Sequence, residues 1–179
     1  LKVNVFNKIY KIKIKNDQIK KNILISLAIL KLLKLDIQKI INKIKDIKVL
    51  EGRGKVYKIK INKKRFNLMD ESYNANPLSM KESILKISKI GINDINKYLL
   101  LGDMLELGNQ SSRLHTEISK YINNSDIDKL FVHGKAIMNT YKSVNKHKRG
   151  NILQAKSDFM ETVLPIIKNN DYLMIKGSN

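Results

Sequence analysis

Lys97-Tyr98-Leu99-Leu100-Leu101, running directly into Gly102-Asp103-Met104-Leu105-Glu106-Leu107-Gly108, is the stretch from which the fold can be read. The run is apolar at odd and even positions alike, so a strand built from it needs cover on both faces, as strands inside parallel sheets do. A glycine-bounded polar loop ends it, and a helix follows over about 112–122. The same unit recurs downstream. Leu130-Phe131-Val132 precedes a helix after Gly134, Ile152-Leu153 precedes a helix over about 157–168, and Tyr172-Leu173-Met174-Ile175 closes the series. This repetition predicts an α/β fold with a doubly wound, mostly parallel sheet and right-handed crossovers. Ligands on such sheets sit beyond the carboxyl ends of the strands. Residues 70–76, 102–108, His133-Gly134 and Lys176-Gly177-Ser178 all fall at those ends and are expected to share one rim.

Working upstream, Asn76 is suited to cap a helix that begins at Pro77 and runs to about Ile90, burying Met80, Ile84, Leu85, Ile87 and Ile90. Residues 56–61 and 65–70 flank Asn62-Lys63-Lys64 and predict an antiparallel hairpin ahead of the parallel strands. Glu51-Gly52-Arg53-Gly54 interrupts the helical pattern with two glycines and marks a domain boundary, dividing residues 1–48 from 49–179. In the first part, residues 2–15 read as one or two strands. Residues 22–35 form a helix apolar on almost every side, and 36–47 an amphipathic one with Ile37, Ile40, Ile41 and Ile44 inward. A helix apolar all round needs burial on several faces. Residues 1–48 supply too little material for that, so they are expected to be the tail of a domain whose bulk lies elsewhere, and Leu1 reads as an internal cut.

The formal charge of +19 would ordinarily suggest nucleic acid or anionic lipid as a partner. Only Arg53, Arg65, Arg113 and Arg149 are arginines, however, and the lysines are spread along the chain among Ile and Asn. A nucleic-acid face more often clusters Arg, whose fork fits phosphates and bases, with aromatics between. No specific nucleic-acid partner is expected. The most apolar stretch, residues 23–35, is broken by Lys31 and Lys34 and is shorter than the roughly 20 residues a membrane span requires. No membrane association is expected, and no signal peptide is evident at Leu1. The absence of Cys suits a reducing compartment, and the cytoplasm is the expected location.

No Gly-x-x-x-x-Gly-Lys-Ser/Thr phosphate loop occurs, nor a Gly-x-Gly-x-x-Gly after a strand. His115, His133 and His147 lack metal-ligand spacing, so no metal site and no catalytic group are assigned. Asp103 and Glu106, three apart in a loop, are either paired carboxylates or solubilising and capping residues. Arg53, between glycines that permit a tight turn, either aims its guanidinium at an anion or is an exposed loop residue. Asn74 and Asn76 are either turn and cap residues or amides that read a ribose or base.

Taken together, DESYNANPLSM at 70–80, LLLGDMLELG at 99–108, His115, Gly52-Arg53-Gly54 and Lys176-Gly177-Ser178 resemble the Mur ligase family of peptidoglycan synthesis. The Tyr-Asn-Ala-Asn-Pro wording is most similar to the branch that joins D-alanyl-D-alanine to UDP-N-acetylmuramoyl-tripeptide. The resemblance implies that residues 1–48 end a central ATPase domain and that 49–179 are a Rossmann-like C-terminal domain, truncated at its end. It implies an ATP-dependent amide ligase that works through an acyl phosphate with Mg2+ held mainly by the central domain, in a monomeric parent whose fragment alone is inactive. By the same resemblance, Arg53, Asp70, Tyr73, Asn74, Asn76 and Asn22 bind ATP, and Asp103, Glu106, His115, Lys176 and Ser178 line the substrate. Lys21 and Ile25 replace a His and an Asn common in the family, and Asn179 replaces an Arg. The alternatives are a sister amino acid ligase of the family and a non-enzymatic Lys-rich module that holds polyanions.

Overall fold

The computed structural model describes residues 2–5, 8–11, 20–44, 51–91 and 94–178. The chain divides into two compact units, Leu1–Val49 and Leu50–Asn179.

In the first unit, strands β1 (Lys2–Val5) and β2 (Lys8–Lys11) form an antiparallel pair. The rest of the strand reading, 12–15, lies outside the described residues. Helix α1 spans Lys20–Leu32 and α2 spans Ile37–Ile44. Ile23 and Leu27, one turn apart on α1, pack with Ile37, Ile41 and Ile44 of α2. Ile40 is only half-buried and stands beside this seam instead of within it. Helix α1 stops short of the expected Leu35. Lys34 takes a left-handed φ of 58°, and the Leu35 N–H reaches back to the Leu30 carbonyl, which closes the helix end. Asp36 then accepts from the Gln38 N–H and starts α2, whose expected continuation over 45–47 lies outside the described residues.

The second unit is built on one six-stranded sheet. Its strands are β3 (Lys55–Ile61), β4 (Lys64–Asp70), β5 (Lys97–Gly102), β6 (Lys129–His133), β7 (Arg149–Ile152) and β8 (Tyr172–Lys176), in the spatial order β3-β4-β8-β5-β6-β7. Only the β3–β4 hairpin is antiparallel, as the sequence predicts. Its two-residue connection is possible because Asn62 accepts a left-handed φ of 55°. The chain walks outward from β5 through β6 to β7 and then returns to place β8 between β4 and β5. The carboxyl ends of β4, β8 and β5 therefore lie side by side, on the edge where doubly wound sheets bind ligands.

Alternation along the strands sorts the core into two layers. Met69, Leu99, Leu101, Leu130, Val132 and Met174 face one side, where α3 (Pro77–Ser88), α4 (Ser111–Asn123) and α5 (Met138–Ser143) contribute residues such as Met80, Ile84 and Ile118. Phe66, Tyr98, Phe131 and Leu173 face the other side and pack with Leu153, Val163, Leu164 and Ile167. Each fully buried side chain of this size contributes about 1.5–3 kcal/mol, which is why strands apolar at both parities require helices on both faces.

Helix α3 starts as expected. Asn76 accepts from the Ser79 N–H, Ser79 returns the bond to the Asn76 backbone, and Pro77 occupies the first helical position. Leu85 and Ile90 are only half-buried, the other expected inward residues fully so. The helix expected over 157–168 is shorter. It runs as α6 (Lys156–Asp158), widens into a π-helical turn at Phe159–Val163, and ends in turns at 164–166. Pro165 has no N–H to continue the ladder and its ring crowds the preceding turn. The Leu164 N–H accordingly reaches one residue further back than in an α-helix, to the Phe159 carbonyl.

Candidate functional site

At the carboxyl ends of β4, β8 and β5, three segments of sequence are bonded into one surface. Asp70 ends β4 and residues 71–76 follow it, residues 103–106 follow β5, and Gly177-Ser178 follow β8. The Ser178 N–H donates to the Asp103 carbonyl at 2.8 Å, and Ser178 Oγ accepts from the Leu105 N–H at 3.1 Å. The same hydroxyl lies 3.1 Å from both Asn74 Oδ1 and the Ala75 carbonyl, to which it donates. One short side chain thus ties all three loops together.

The loop at 51–54 docks beside them. Gly52 has φ +71°, its N–H donates to Asp70 Oδ2 at 3.2 Å, and its carbonyl accepts from the Tyr73 N–H at 3.1 Å. The Arg53 guanidinium then lies 4.1 Å from the centre of the Tyr73 ring, a cation–π stack with both residues exposed to solvent. Asp70 is half-buried, and its other oxygen accepts from the Ser72 N–H at 3.1 Å and the Ser72 hydroxyl at 2.6 Å. Asn74 Oδ1 accepts from the Ala75 N–H at 2.7 Å, whereas no hydrogen bond of Asn74 Nδ2 occurs among the described residues. Asn76 is exposed and spends its side-chain oxygen on the cap of α3.

Lys176 is only 3% exposed. Its Nζ donates to the Asn74 carbonyl at 2.9 Å and lies 3.4 Å from the Glu71 carbonyl. Burial pushes its pKa below the usual lysine value, the nearby Glu71 carboxylate opposes that shift, and the Arg53 charge adds to it. Asp103 is a loop anchor: Oδ1 accepts from the Ile137 N–H at 2.7 Å and Oδ2 from the Lys135 N–H at 3.1 Å. Gly134, at φ +132°, makes room for this, because a Cβ there would lie 2.5 Å from the Asp103 carboxylate. Glu106 is exposed in a left-handed conformation, φ 61°.

His115 is placed beneath the rim, not on it. It is fully buried; Nε2 accepts from the Met104 N–H at 3.0 Å and Nδ1 lies 2.8 Å from the Ser111 carbonyl. Only the neutral tautomer with the proton on Nδ1 satisfies both contacts. Its chemistry here is to pin the loop after β5. Asn22 lies in the first unit, exposed on α1, where its carbonyl accepts from the Ser26 hydroxyl. Sequence reasoning missed Glu71, which is buried and lies 3.6 Å from Lys86 of α3. The signal was the strand's own alternation, which carries the inward side of Met69 on to position 71.

A cavity of about 520 Å3 lies at the opposite, amino-terminal edge, lined by Tyr98, Asp126, Asp128, Lys129 and Lys148 among others. Its polar groups serve the edge itself. The Asp128 carboxylate takes the Lys97 N–H, Lys148 Nζ bonds the Ile122 and Ser125 carbonyls, and the Tyr98 hydroxyl faces the Ile166 carbonyl. Burial beside Asp171 and Asp128 pushes the Tyr98 hydroxyl pKa up, so it stays a neutral donor.

Comparison with known proteins gives a consistent result. The family described as Mur ligase, glutamate ligase domain, matches residues 52–179. The UDP-N-acetylmuramoyl-tripeptide–D-alanyl-D-alanine ligase of Rickettsia prowazekii is 28% identical over 152 residues, 85% of this chain and 32% of that protein. The ligase of the same name from Bacillus subtilis is 33% identical over 116 residues, 63% of this chain and 25% of that protein. Among solved structures, the MurF ligase of Thermotoga maritima in complex with ADP superposes with a TM-score of 0.72 at 22% identity, covering 97% of this chain and 38% of that one. This chain therefore spans about a third or less of the length of the curated relatives it matches.

Proposed function

Because this chain belongs to the Mur ligase family, we propose that it is the closing part of an ATP-dependent ligase that adds D-alanyl-D-alanine to UDP-N-acetylmuramoyl-tripeptide in the cytoplasm. The observation that carries the proposal is the rim itself. The 70–76 turn, the 103–106 loop and Ser178 are joined through one hydroxyl at the carboxyl ends of β4, β5 and β8, and they are the segments whose wording resembles that branch of the family.

In this reading Leu50–Asn179 is the C-terminal domain and Leu1–Val49 the end of the central ATPase domain. Exposed Ile25, Ile29, Leu32 and Leu33 on and after α1 are apolar surface suited to burial by the remainder of that domain. The rim residues fit a nucleotide. Arg53 offers a guanidinium for a phosphate or ribose oxygen, Tyr73 beneath it offers a ring face, and Asn74 Nδ2 offers an amide donor. Asp70 fixes the loop that carries Arg53 and in the same place accepts from a ribose hydroxyl. Asp103, Glu106 and Ser178 form the side that receives the dipeptide, and His115 holds that side from below. ATP supplies the phosphoryl group that activates the tripeptide carboxylate before the dipeptide amine attacks it. The rim's contribution is to orient the nucleotide and dipeptide and, on closing, to exclude water from them. As the family resemblance implies, Mg2+ is assigned mainly to the central domain of the ligase.

Product analysis tests this reading. The intact ligase containing this chain, given Mg-ATP and UDP-N-acetylmuramoyl-tripeptide, is expected to yield a product heavier by one dipeptide residue only when D-alanyl-D-alanine is offered. A product formed with a single amino acid but not with the dipeptide would assign the chain to a sister ligase instead.

A further inference from the structure

We propose that Lys176 is a positioning residue whose ammonium holds the 71–75 turn in shape through backbone carbonyls, so that Tyr73, Asn74 and Asn76 are presented to the nucleotide, and that it does not bind the dipeptide carboxylate. A lysine at a strand end beside a substrate loop invites the opposite assignment. The geometry argues against it. Lys176 is 3% exposed, and its best donor bond, at 2.9 Å, goes to the carbonyl of Asn74, the residue at the centre of the nucleotide wall. A second carbonyl of the same turn, Glu71, lies 3.4 Å away. A substrate carboxylate would have to displace the turn to reach the ammonium.

The turn is held from both sides. Inside, Lys176 bonds its carbonyls. Outside, the Gly52 carbonyl takes the Tyr73 N–H and Arg53 stacks on the Tyr73 ring. The buried Glu71 carboxylate supplies counter-charge that offsets part of the cost of enclosing the ammonium, and it lies 3.6 Å from Lys86 of α3. Ser178, two residues on, continues the clamp to Ala75 and to the loop after β5. The segment 176–178 therefore couples the nucleotide wall to the dipeptide loop through one strand end.

The placement of Lys176 stands on this chain alone, and its catalytic consequence rests on the ligase reading. The test uses the 179-residue chain and then the intact ligase, each carrying Lys176→Met. Amide hydrogen exchange of Tyr73 and Ala75 is expected to accelerate by about tenfold or more, while amides of Leu99 and Leu130 in the sheet keep their protection. If the methionine variant does not fold, Lys176→Leu, which likewise lacks a donor, is read in the same way. In the intact ligase the KM for ATP is expected to rise several-fold, together with the KM for the dipeptide. Unchanged exchange at Tyr73 and Ala75 in a folded variant overturns the proposal, as does a rise confined to the dipeptide KM. Faster exchange in this chain, with no dipeptide-dependent reaction by the intact protein, would leave the positioning role standing and refute the ligase reading.

Discussion

Replacing Gly52 by alanine places a Cβ 2.6 Å from the Tyr73 nitrogen, on backbone already at φ +71°. Backbone cannot yield as a flexible side chain can, and a left-handed alanine adds strain of about 1 kcal/mol. Gly52→Ala is expected to lower stability by about 2–3 kcal/mol in denaturant titration and to shift the Tyr73 amide resonance, because Arg53 and Tyr73 must part. His115 gives a second residue-scale outcome. His115→Ala leaves the Met104 N–H without its acceptor and opens a void at a fully buried site, at an expected cost of about 2–4 kcal/mol. The loss should appear as a lower denaturation midpoint and as faster exchange of the Met104 amide. A His115 that acted only as a substrate ligand would leave both unchanged.

At the scale of elements, helix ends carry the informative details. Asp158 accepts from the Gln154 and Ala155 N–H groups, and those bonds hold its pKa below the ordinary 3.8. A carboxylate depressed in the folded state contributes stability that is present above its unfolded pKa and is lost as pH falls through the folded value. The Gln154 and Ala155 amide resonances are therefore expected to titrate together with a midpoint below 3.8, and Asp158→Asn should remove that titration. Helix α1 offers a complementary case. Lys34 occupies a left-handed position after the helix at φ 58°, where glycine is free of the Cβ penalty. Lys34→Gly is expected to raise stability by up to about 1 kcal/mol, measured as a denaturation midpoint. These ends also mark what the sequence made legible. Strands apolar at both parities, such as 97–101 and 130–132, announced the two-sided sheet, and Asn76-Pro77 announced the start of α3. Pro165 carried equal information about the end of the helical run that α6 begins, but the apolar spacing of Val163, Leu164 and Ile167 continued past it and masked the break. Ile167 is buried all the same, from outside the helix.

For the molecule as a whole, the order of strands explains why the rim was legible and its wiring was not. Each candidate from Asp70 to Asn76, and from Asp103 to Glu106, follows a strand, so its edge was readable without knowing which strands are neighbours. That β8 returns between β4 and β5 is a long-range fact. It brings Lys176 to the Asn74 carbonyl across more than a hundred residues of sequence, and local pattern does not contain it. His115 shows the same limit: the family resemblance implied a place beside the substrate, and burial puts it underneath the rim. The account in which this rim is one wall of a ligase, with the phosphate-binding groups carried elsewhere, is tested most directly by phosphate release from the purified 179-residue chain and from the intact ligase, side by side. With Mg-ATP and UDP-N-acetylmuramoyl-tripeptide, the expected result is release by the intact ligase only when D-alanyl-D-alanine is added, and none by the isolated chain. Release by the isolated chain at a comparable rate, or release by the intact ligase that ignores the dipeptide, would contradict it.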